Sequence, residues 1–198
     1  MTRGRTLPRS FYARDPRAVA RDLLGKVLQR GSVAARIVEV EAYLGGRDPG
    51  SHAFRGRTAR NATMFGPAGH LYVYFTYGMH WCANVVCSVE GDAGAVLLRG
   101  AAPVEGLATM RRRRPAARRD ADLCSGPARI CAAFAITGTH DGIDLTTGPI
   151  RIRSDGGATP VRRASTRVGL SEGRGDHHRW RWYVPRDPNV SGPKVRKG

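Results

Sequence analysis

Lysine is nearly missing from this 198-residue chain, although lysine and arginine together number 33. The lysines are Lys26, Lys194 and Lys197, so a mechanism with a lysine Schiff base would have to use one of these three. Acidic residues are also few, with 16 of them, and the formal net charge is +17. Such an excess of positive charge is best tolerated beside a polyanion, which makes nucleic acid the expected partner.

Long apolar segments are absent as well. No window of about 18 uninterrupted apolar residues occurs, which argues against a membrane span. The basic N-terminal residues are not followed by an apolar stretch, so they do not resemble a secretory signal, and we expect an intracellular, reducing location. With 41% apolar residues, we expect one domain over residues 1–198, with poorly ordered ends at about 1–8 and 186–198.

Several catalytic motifs are missing too. The chain has no P-loop, no glycine-rich dinucleotide fingerprint, no H-E-x-x-H and no G-x-S-x-G. The adjacent His177 and His178 are poorly placed to bind one metal ion from a single element. The spacings of the cysteines match neither paired zinc ligands nor a dense disulfide framework; these residues are Cys82, Cys87, Cys124 and Cys131. We therefore expect no metal and no cofactor.

The stretch from Arg36 to Tyr43 alternates apolar and polar residues, which predicts a β-strand. A period of two places Val38, Val40 and Ala42 on one face and Glu39, Glu41 and Tyr43 on the other. A carboxylate held by a strand beside an aromatic ring can act as a general base next to a stacking platform. The alternative is an exposed strand with solvated acids.

A basic loop from Arg47 to Gly69 follows, and then an aromatic segment that extends to Cys87. The loop contains His52, which belongs either to the surface or to a site. The aromatic segment is β-branched on both sides of Tyr77-Gly78, which predicts two antiparallel strands joined at that dipeptide. An aromatic residue at such a tip can wedge between base pairs; otherwise these tyrosines are ordinary sheet and core residues.

The remaining segments are predicted to support the sheet. Helices are expected at 16–24, capped by Asp15, at 103–110 and from 127 onward; strands are expected at 26–29, 95–98, 150–152 and 180–184. Asn84 is the polar exception in an apolar strand and would need a partner or a ligand if buried. Arg99 closes the strand at 95–98, where it points either into a site or to solvent. The arginine run 111–114 is expected to be a solvated helix end, with phosphate contact as the alternative.

Separated stretches of the sequence also match a known family in the family's order. They are RIVEVEAYLG at 36–45, Arg60-Asn61, LYVY at 71–74, YGM at 77–79, VLLR at 96–99, CSGP at 124–127 and RVG at 167–169. On these stretches the chain resembles the alkyladenine (3-methyladenine) DNA glycosylase family of the mammalian type, from about Arg9 to Ser191. The ordered set is specific, although each motif alone is not.

The resemblance implies a fold and an activity. The fold is α+β: a single mixed domain around a curved antiparallel sheet with a protruding β-hairpin. The activity is a monofunctional DNA repair glycosylase that flips a damaged purine out of duplex DNA, hydrolyses the N-glycosidic bond and leaves an abasic site. Its substrates would be 3-methyladenine, 7-methylguanine, hypoxanthine and 1,N6-ethenoadenine in double-stranded DNA, engaged by a monomer without a cofactor.

The resemblance also implies roles for individual residues. Glu41 would be the general base, and the pocket for the flipped base would be formed by Tyr43, His52, Tyr74, Asn84 and Val168. Tyr77 would be the intercalating wedge with Met79 in the minor groove, and Arg99 and Gly169 would contact the flipped nucleotide. His80, Leu170-Ser171 and Arg47 to Gly50 depart from the family pattern, which leaves the range of lesions open.

Two other classes of function remain open. One is a non-catalytic nucleic-acid-binding module that uses the same basic surface and tyrosine platforms, for which Glu41 would be dispensable. The other is a hydrolase of small nucleotides with incidental charge, which would not bind undamaged duplex tightly.

Overall fold

Residues 4–192 are described by the structure, a computed structural model, and they form a nine-stranded antiparallel sheet with helices on one side. The strands are β1 (Arg5–Thr6), β2 (Val27–Arg30), β3 (Val33–Leu44), β4 (Leu71–Thr76), β5 (His80–Cys87), β6 (Gly94–Glu105), β7 (Ile150–Ser154), β8 (Arg163–Ser165) and β9 (Arg181–Tyr183). The α-helices are α1 (Arg9–Tyr12), α2 (Pro16–Leu23), α3 (Leu107–Arg113) and α4 (Pro127–Phe134). Short 3₁₀ helices lie at Gly45–Arg47, Ala59–Phe65, Asp120–Asp122 and Gly138–His140.

Strand β3 is the centre of the sheet. The order of strands is β1-β7-β2-β3-β6-β5-β4, and β9 adds to β3 at Glu39–Glu41 while β8 pairs with β9. β6 pairs with β3 over nearly its whole length. The sheet curls into a half-barrel, which confirms the predicted α+β fold around a curved antiparallel sheet.

The main core lies between the helices and one face of the sheet. Side chains of α2 and α4, such as Leu23 and Ile130, pack there with strand residues. Along β3 the side chains that face the core change from odd-numbered to even-numbered residues. They are first Val33, Ala35 and Ile37 and then Val40, Ala42 and Leu44. The alternation is therefore shifted by one residue in the middle of the strand.

A β-bulge causes this shift. In the β3–β6 register, Ile37 lies opposite Ala101, Glu39 opposite Gly100 and Val40 opposite Leu98. Val38 on β3 and Arg99 on β6 are thus extra residues without an opposite partner. The predicted apolar face is wrong at Val38, which is buried but lies outside the main core cluster.

Gly100 permits the close approach of the strands at the bulge. A Cβ atom there would lie 2.7 Å from the Asn189 carbonyl oxygen and 3.0 Å from the Glu39 carboxylate. A side chain would therefore force the two strands and the chain segment near Asn189 apart.

The hairpin between β4 and β5 and the cap of α2 are confirmed. Tyr77 and Gly78 both have positive φ, 51° and 66°, which is the backbone of a tight hairpin turn. The side chain of Asp15 accepts a hydrogen bond from the Arg17 amide at 2.8 Å, as an N-cap does.

Two predicted boundaries are wrong. The helix expected at 103–110 begins at Leu107, because Pro103 to Glu105 continue β6. β6 is therefore longer than the strand expected at 95–98, and Arg99 lies inside it rather than at its end.

Both chain ends pack against the sheet as far as they are described, and the poor order expected at 1–8 and 186–198 stays a prediction. β1 pairs with β7, Leu7 is buried, and Ser191 is buried beside Glu39. Residues 1–3 and 193–198 lie outside the described part of the chain. Between residues 4 and 192, no helix is both long enough and apolar enough to cross a membrane.

The turn after β3 generates a test of the fold. Gly45 has φ +58°, and a Cβ atom there would overlap the Asp92 carbonyl oxygen, whereas the neighbouring Gly46 has open space. Gly45→Ala is expected to destabilise the protein by about 1–2 kcal/mol from backbone conformation alone, with the overlap adding to this. Gly46→Ala is the matched control. Urea unfolding that gives equal midpoints for the two variants would contradict this account of the turn.

Candidate active site

A cavity of about 240 Å³ opens on the face of the sheet opposite the main core. Strands β3 to β6 form its floor, and the loops around residues 50–52 and 168–170 complete its wall. All predicted site residues except Glu41 and Met79 line it: Tyr43, His52, Tyr74, Tyr77, Asn84, Arg99, Val168 and Gly169. The structure thus brings together residues that are up to 126 positions apart, from Tyr43 to Gly169.

Strand alternation explains why these side chains meet. In β4, β5 and β6, every second residue faces the cavity: Tyr72, Tyr74 and Thr76; Cys82 and Asn84; Ala95, Leu97 and Arg99. Their neighbours Val73, Ala83 and Leu98 belong to the main core. The bulge brings Arg99 into this set beside Glu39 and Glu41.

Glu41 lies directly behind the cavity wall and is fully buried. One carboxylate oxygen accepts a hydrogen bond from the Val168 amide at 2.7 Å, and the other accepts one from the Tyr43 hydroxyl at 2.9 Å. The Arg99 guanidinium is 3.4 Å away. Each of these three partners also lines the cavity, so the carboxylate is separated from it by a single layer of groups. The alternative of solvated acids on an exposed strand is wrong.

Burial raises the pKa of Glu41 above its usual value, because it disfavours the charged form. The charge of Arg99, the Val168 amide and the Tyr43 hydroxyl oppose this shift without cancelling it. A carboxylate with a raised pKa is a stronger proton acceptor once it is ionised, as general-base chemistry requires. Burial, and next the charge of Glu41, also raises the pKa of Tyr43, so its hydroxyl stays protonated and donates.

A second buried carboxylate, Glu39, fixes Arg99 from the other side. Glu39 accepts from Arg99 at 3.2 Å and from Arg181 at 2.6 Å, and it also accepts from the Ser191 amide. Burial opposes the charge on Arg99, but Glu41 and Glu39 outweigh it and raise the pKa of that guanidinium. Two carboxylates and two guanidinium groups therefore form one compensated cluster.

Aromatic rings enter the cavity from its two sides. Tyr43 belongs to β3 and Tyr74 to β4, and two strands lie between them. The rings of Tyr72 and Tyr74 stack with centroids 5.5 Å apart, and the His52 ring meets Tyr74 at 4.5 Å. The His52 Nδ1 is 3.1 Å from the Tyr72 hydroxyl oxygen. Burial, and next the nearby Arg60, lowers the pKa of His52, so the imidazole is neutral at pH 7.

Asn84 lies in the cavity wall, and the hairpin tip lies at the edge of the cavity. Asn84 is buried and donates to the Tyr72 carbonyl at 3.3 Å, which holds its amide at the cavity wall. Tyr77 is 83% exposed at the tip and borders the cavity, and Met79 is 69% exposed beside it. Large apolar side chains so exposed are typical of a contact surface.

Sequence reasoning missed several residues of this site. Tyr72 has the same spacing signal as Tyr74, two positions along an alternating strand. Asp48 and Arg167 form a fully buried ion pair at 2.6 Å behind Tyr43, and they are 119 residues apart, so no local pattern marks them.

Potential metal ligands do not gather in the described part of the chain: no group of three or more His, Cys, Asp or Glu side chains is arranged to hold an ion there. The four cysteines are free and buried. Burial raises the pKa of Cys82, the one of them that lines the cavity, and keeps it a neutral thiol.

Comparisons with known proteins match most of the chain. Residues 10–188 match the family model described as "Methylpurine-DNA glycosylase (MPG)". A protein of Burkholderia lata is 50% identical over 98% of this chain and 95% of its own length, and one of Streptomyces avermitilis is 49% identical over 93% and 90%. A protein of Methanocella arvoryzae is 45% identical over 93% and 95%. Each of the three is named "Putative 3-methyladenine DNA glycosylase".

The raised pKa of Glu41 predicts how stability depends on pH. The native state holds this proton more tightly than the unfolded state, so the carboxyl stabilises the fold below the ordinary glutamate pKa of about 4.3 and loses that contribution as the pH rises through its raised value. Glu41→Gln does not titrate at this position, so its melting temperature is expected to rise relative to that of the unsubstituted protein between pH 5 and pH 8. Glu90→Gln, at an exposed position, is the control. A difference in melting temperature that stays constant or changes in the opposite direction over this range would contradict a raised pKa of Glu41.

Proposed function

Since the chain belongs to the methylpurine-DNA glycosylase family, we propose that it flips alkylated or deaminated purines out of duplex DNA into the cavity beneath the β4–β5 hairpin. The family makes it a DNA repair enzyme, a monofunctional hydrolase of N-glycosyl bonds. One observation carries the proposed site: a buried carboxylate, Glu41, is held by three donors directly behind an aromatic cavity that opens beside an exposed tyrosine.

Binding to undamaged DNA comes from charge. The net charge of +17 attracts the phosphate backbone without regard to sequence and allows the enzyme to search along the duplex. This attraction releases counterions, so the affinity for undamaged duplex falls steeply with salt. The cavity and the β4–β5 hairpin beside it belong to the same chain, so a monomer suffices to engage one lesion.

Tyr77 opens the duplex. Its exposed ring enters the minor groove, fills the space left by the extruded nucleotide and prevents its return, while Met79 lies against the groove. The left-handed backbone of Tyr77 projects the ring from the tip of the hairpin. Extrusion costs least for a base that is already weakly paired, which favours damaged positions.

The flipped purine stacks between Tyr43 on one side and Tyr74 with His52 on the other. Such stacking contributes about 1–3 kcal/mol per base, and ring faces also attract the positive charge of an N-alkylated purine. The neutral state of His52 avoids repulsion of that charge. The fixed amide of Asn84 crowds the exocyclic amino group of normal guanine and so discriminates against it.

Hydrolysis then uses Glu41 as the general base. A water that enters between Arg99 and the Val168 amide and contacts the Glu41 carboxylate attacks the sugar C1′ and gives its proton to that carboxylate. The bond from C1′ to the purine nitrogen breaks, and the base leaves with the bonding electrons. An N-alkylated purine is cationic before cleavage and leaves neutral. The negative charge of Glu41 also stabilises the oxocarbenium-like sugar.

The product is an intact abasic site. Lyase chemistry needs an amine that forms a Schiff base. The one lysine in the described residues, Lys26, precedes β2, donates to Ser154 on β7 and does not line the cavity. We propose 3-methyladenine and 7-methylguanine as the principal lesions, with hypoxanthine and 1,N6-ethenoadenine as neutral lesions of the same pocket, whose bases must also gain a proton as they leave.

Glu41→Gln tests the chemistry. In single-turnover reactions with a duplex carrying one 7-methylguanine, we expect base release to fall by at least about a hundredfold, because general-base catalysis contributes on that order. Duplex binding should survive, since the arginines are unchanged. Glu90→Gln removes an exposed carboxylate and is expected to release the base at the normal rate. Undiminished release by Glu41→Gln would exclude this residue as the base.

Tyr77→Ala tests the wedge. Loss of the ring is expected to slow base release from a paired duplex by at least about tenfold. The wedge is expected to offset more than about 1.4 kcal/mol of the free energy of unstacking, and that amount corresponds to a tenfold change in rate. Tyr77→Phe keeps the ring and serves as the control. The defect should shrink when the lesion lies opposite a gap, where flipping is cheap. An equal defect in both substrates would contradict a role in flipping.

A further inference from the structure

The fully buried ion pair between Arg167 and Asp48 lies immediately behind the cavity wall. The guanidinium donates to both carboxylate oxygens, at 2.6 and 2.8 Å, and neither side chain has any exposed surface. Burying two charges is costly, and such a pair is weak evidence of stability by itself. The contacts of Asp48 and Arg167 instead indicate a role in holding the residues that form the cavity wall.

Asp48 fixes the turn that follows β3. Besides the two guanidinium nitrogens, its carboxylate accepts from the amides of Leu44, at 3.1 Å, and Gly50, at 3.0 Å. Gly50 lines the cavity two residues before His52. Asp48 therefore ties the end of β3 to the loop that forms one part of the wall.

Arg167 supports the ring of Tyr43 from behind. The centre of its guanidinium lies 4.6 Å from the Tyr43 ring centroid and 5.1 Å from that of Trp180, so it is placed between the two rings. It also donates to the Ala42 carbonyl at 3.0 Å. Tyr43 lines the cavity and Arg167 does not, so the guanidinium contacts the ring face that is turned away from the cavity.

The residue after Arg167 touches the carboxylate. The Val168 amide donates to Glu41 at 2.7 Å, and Val168 to Leu170 form another part of the cavity wall. One side chain thus holds both the ring of Tyr43 and the start of the loop that supplies the amide.

We propose that Arg167 is a positioning residue for base excision: held by Asp48, it fixes the Tyr43 ring against the flipped purine and the Val168 amide on Glu41. This inference rests on the proposed function, in which Glu41 is the general base. It requires the planar fork of arginine, because lysine keeps the charge but cannot stack on two rings while it bridges a carboxylate and two carbonyls.

Replacement of the Arg167 guanidinium is expected to change the pH–rate profile, which the loss of a residue that only stabilises the fold would not do. The Val168 amide favours the ionised form of Glu41, so a displaced amide lets the pKa of Glu41 rise further. The base must be ionised to act, and the acidic limb of the pH–rate profile then moves to higher pH. A structural role alone would lower stability and leave that limb in place.

The experiment compares Arg167→Lys with the unsubstituted protein in single-turnover release of 7-methylguanine from pH 5 to 9. This lesion is already cationic and needs no proton in order to leave. The acidic limb of the pH–rate profile therefore reports the ionisation of Glu41 rather than that of a general acid. We expect the midpoint of the limb to rise by about one pH unit and the plateau rate to fall by about tenfold. Arg36→Lys is the matched control, because Arg36 also joins a carboxylate, Asp155, and a carbonyl, that of Gly25, away from the cavity.

Arg167→Lys keeps the charge opposite Asp48 and is expected to fold, which its melting temperature checks. Asp48→Asn is the second variant; it leaves Arg167 present but weakly held, and should shift the limb in the same direction. An unchanged midpoint in both folded variants overturns the inference. Failure of the proposed function looks different, because the unsubstituted protein would release no base or Glu41→Gln would release it normally.

Discussion

The buried cluster of Glu39, Glu41, Arg99 and Arg181 is the constraint on which the site depends. Four ionisable groups leave water together, and they are tolerated because each charge meets an opposite one and the carboxylates accept further hydrogen bonds. The bulge in β3 and β6 allows these charged groups to come together. It shifts the alternation of side chains so that Glu39, Glu41 and Arg99 point away from the core face. Gly100 leaves the space that the Glu39 carboxylate occupies.

The cluster links the sheet to the chemistry. Burial raises the pKa of Glu41 and makes it a better proton acceptor, while Arg99 and the Val168 amide limit the rise so that the group can still ionise. The aromatic cavity lies one layer away, and the exposed hairpin rises at its edge. The same face of the sheet therefore carries the proposed wedge, the proposed stacking rings and the proposed general base, Glu41. Their order follows the path of a flipped nucleotide.

Period-two patterns predicted the strands and much of the site, because alternation is a local property of the chain. The patterns at 71–77 and 36–43 placed Tyr43, Tyr74 and Glu41 correctly on their strands, and the resemblance to a known family joined them with Asn84, Arg99 and Val168. The bulge was missed, since its signal is a single glycine, Gly100, inside an apolar strand. The Asp48–Arg167 pair was missed because only the tertiary fold brings two such distant residues together.

A crystal structure of the Glu41→Gln variant bound to a duplex with one 1,N6-ethenoadenine would test the central claim most directly. The lesion base is expected to lie in the cavity between Tyr43 and Tyr74, with Tyr77 in the vacated stack and C1′ facing residue 41. A lesion that remains stacked in the duplex while another surface of the protein holds the DNA would contradict it.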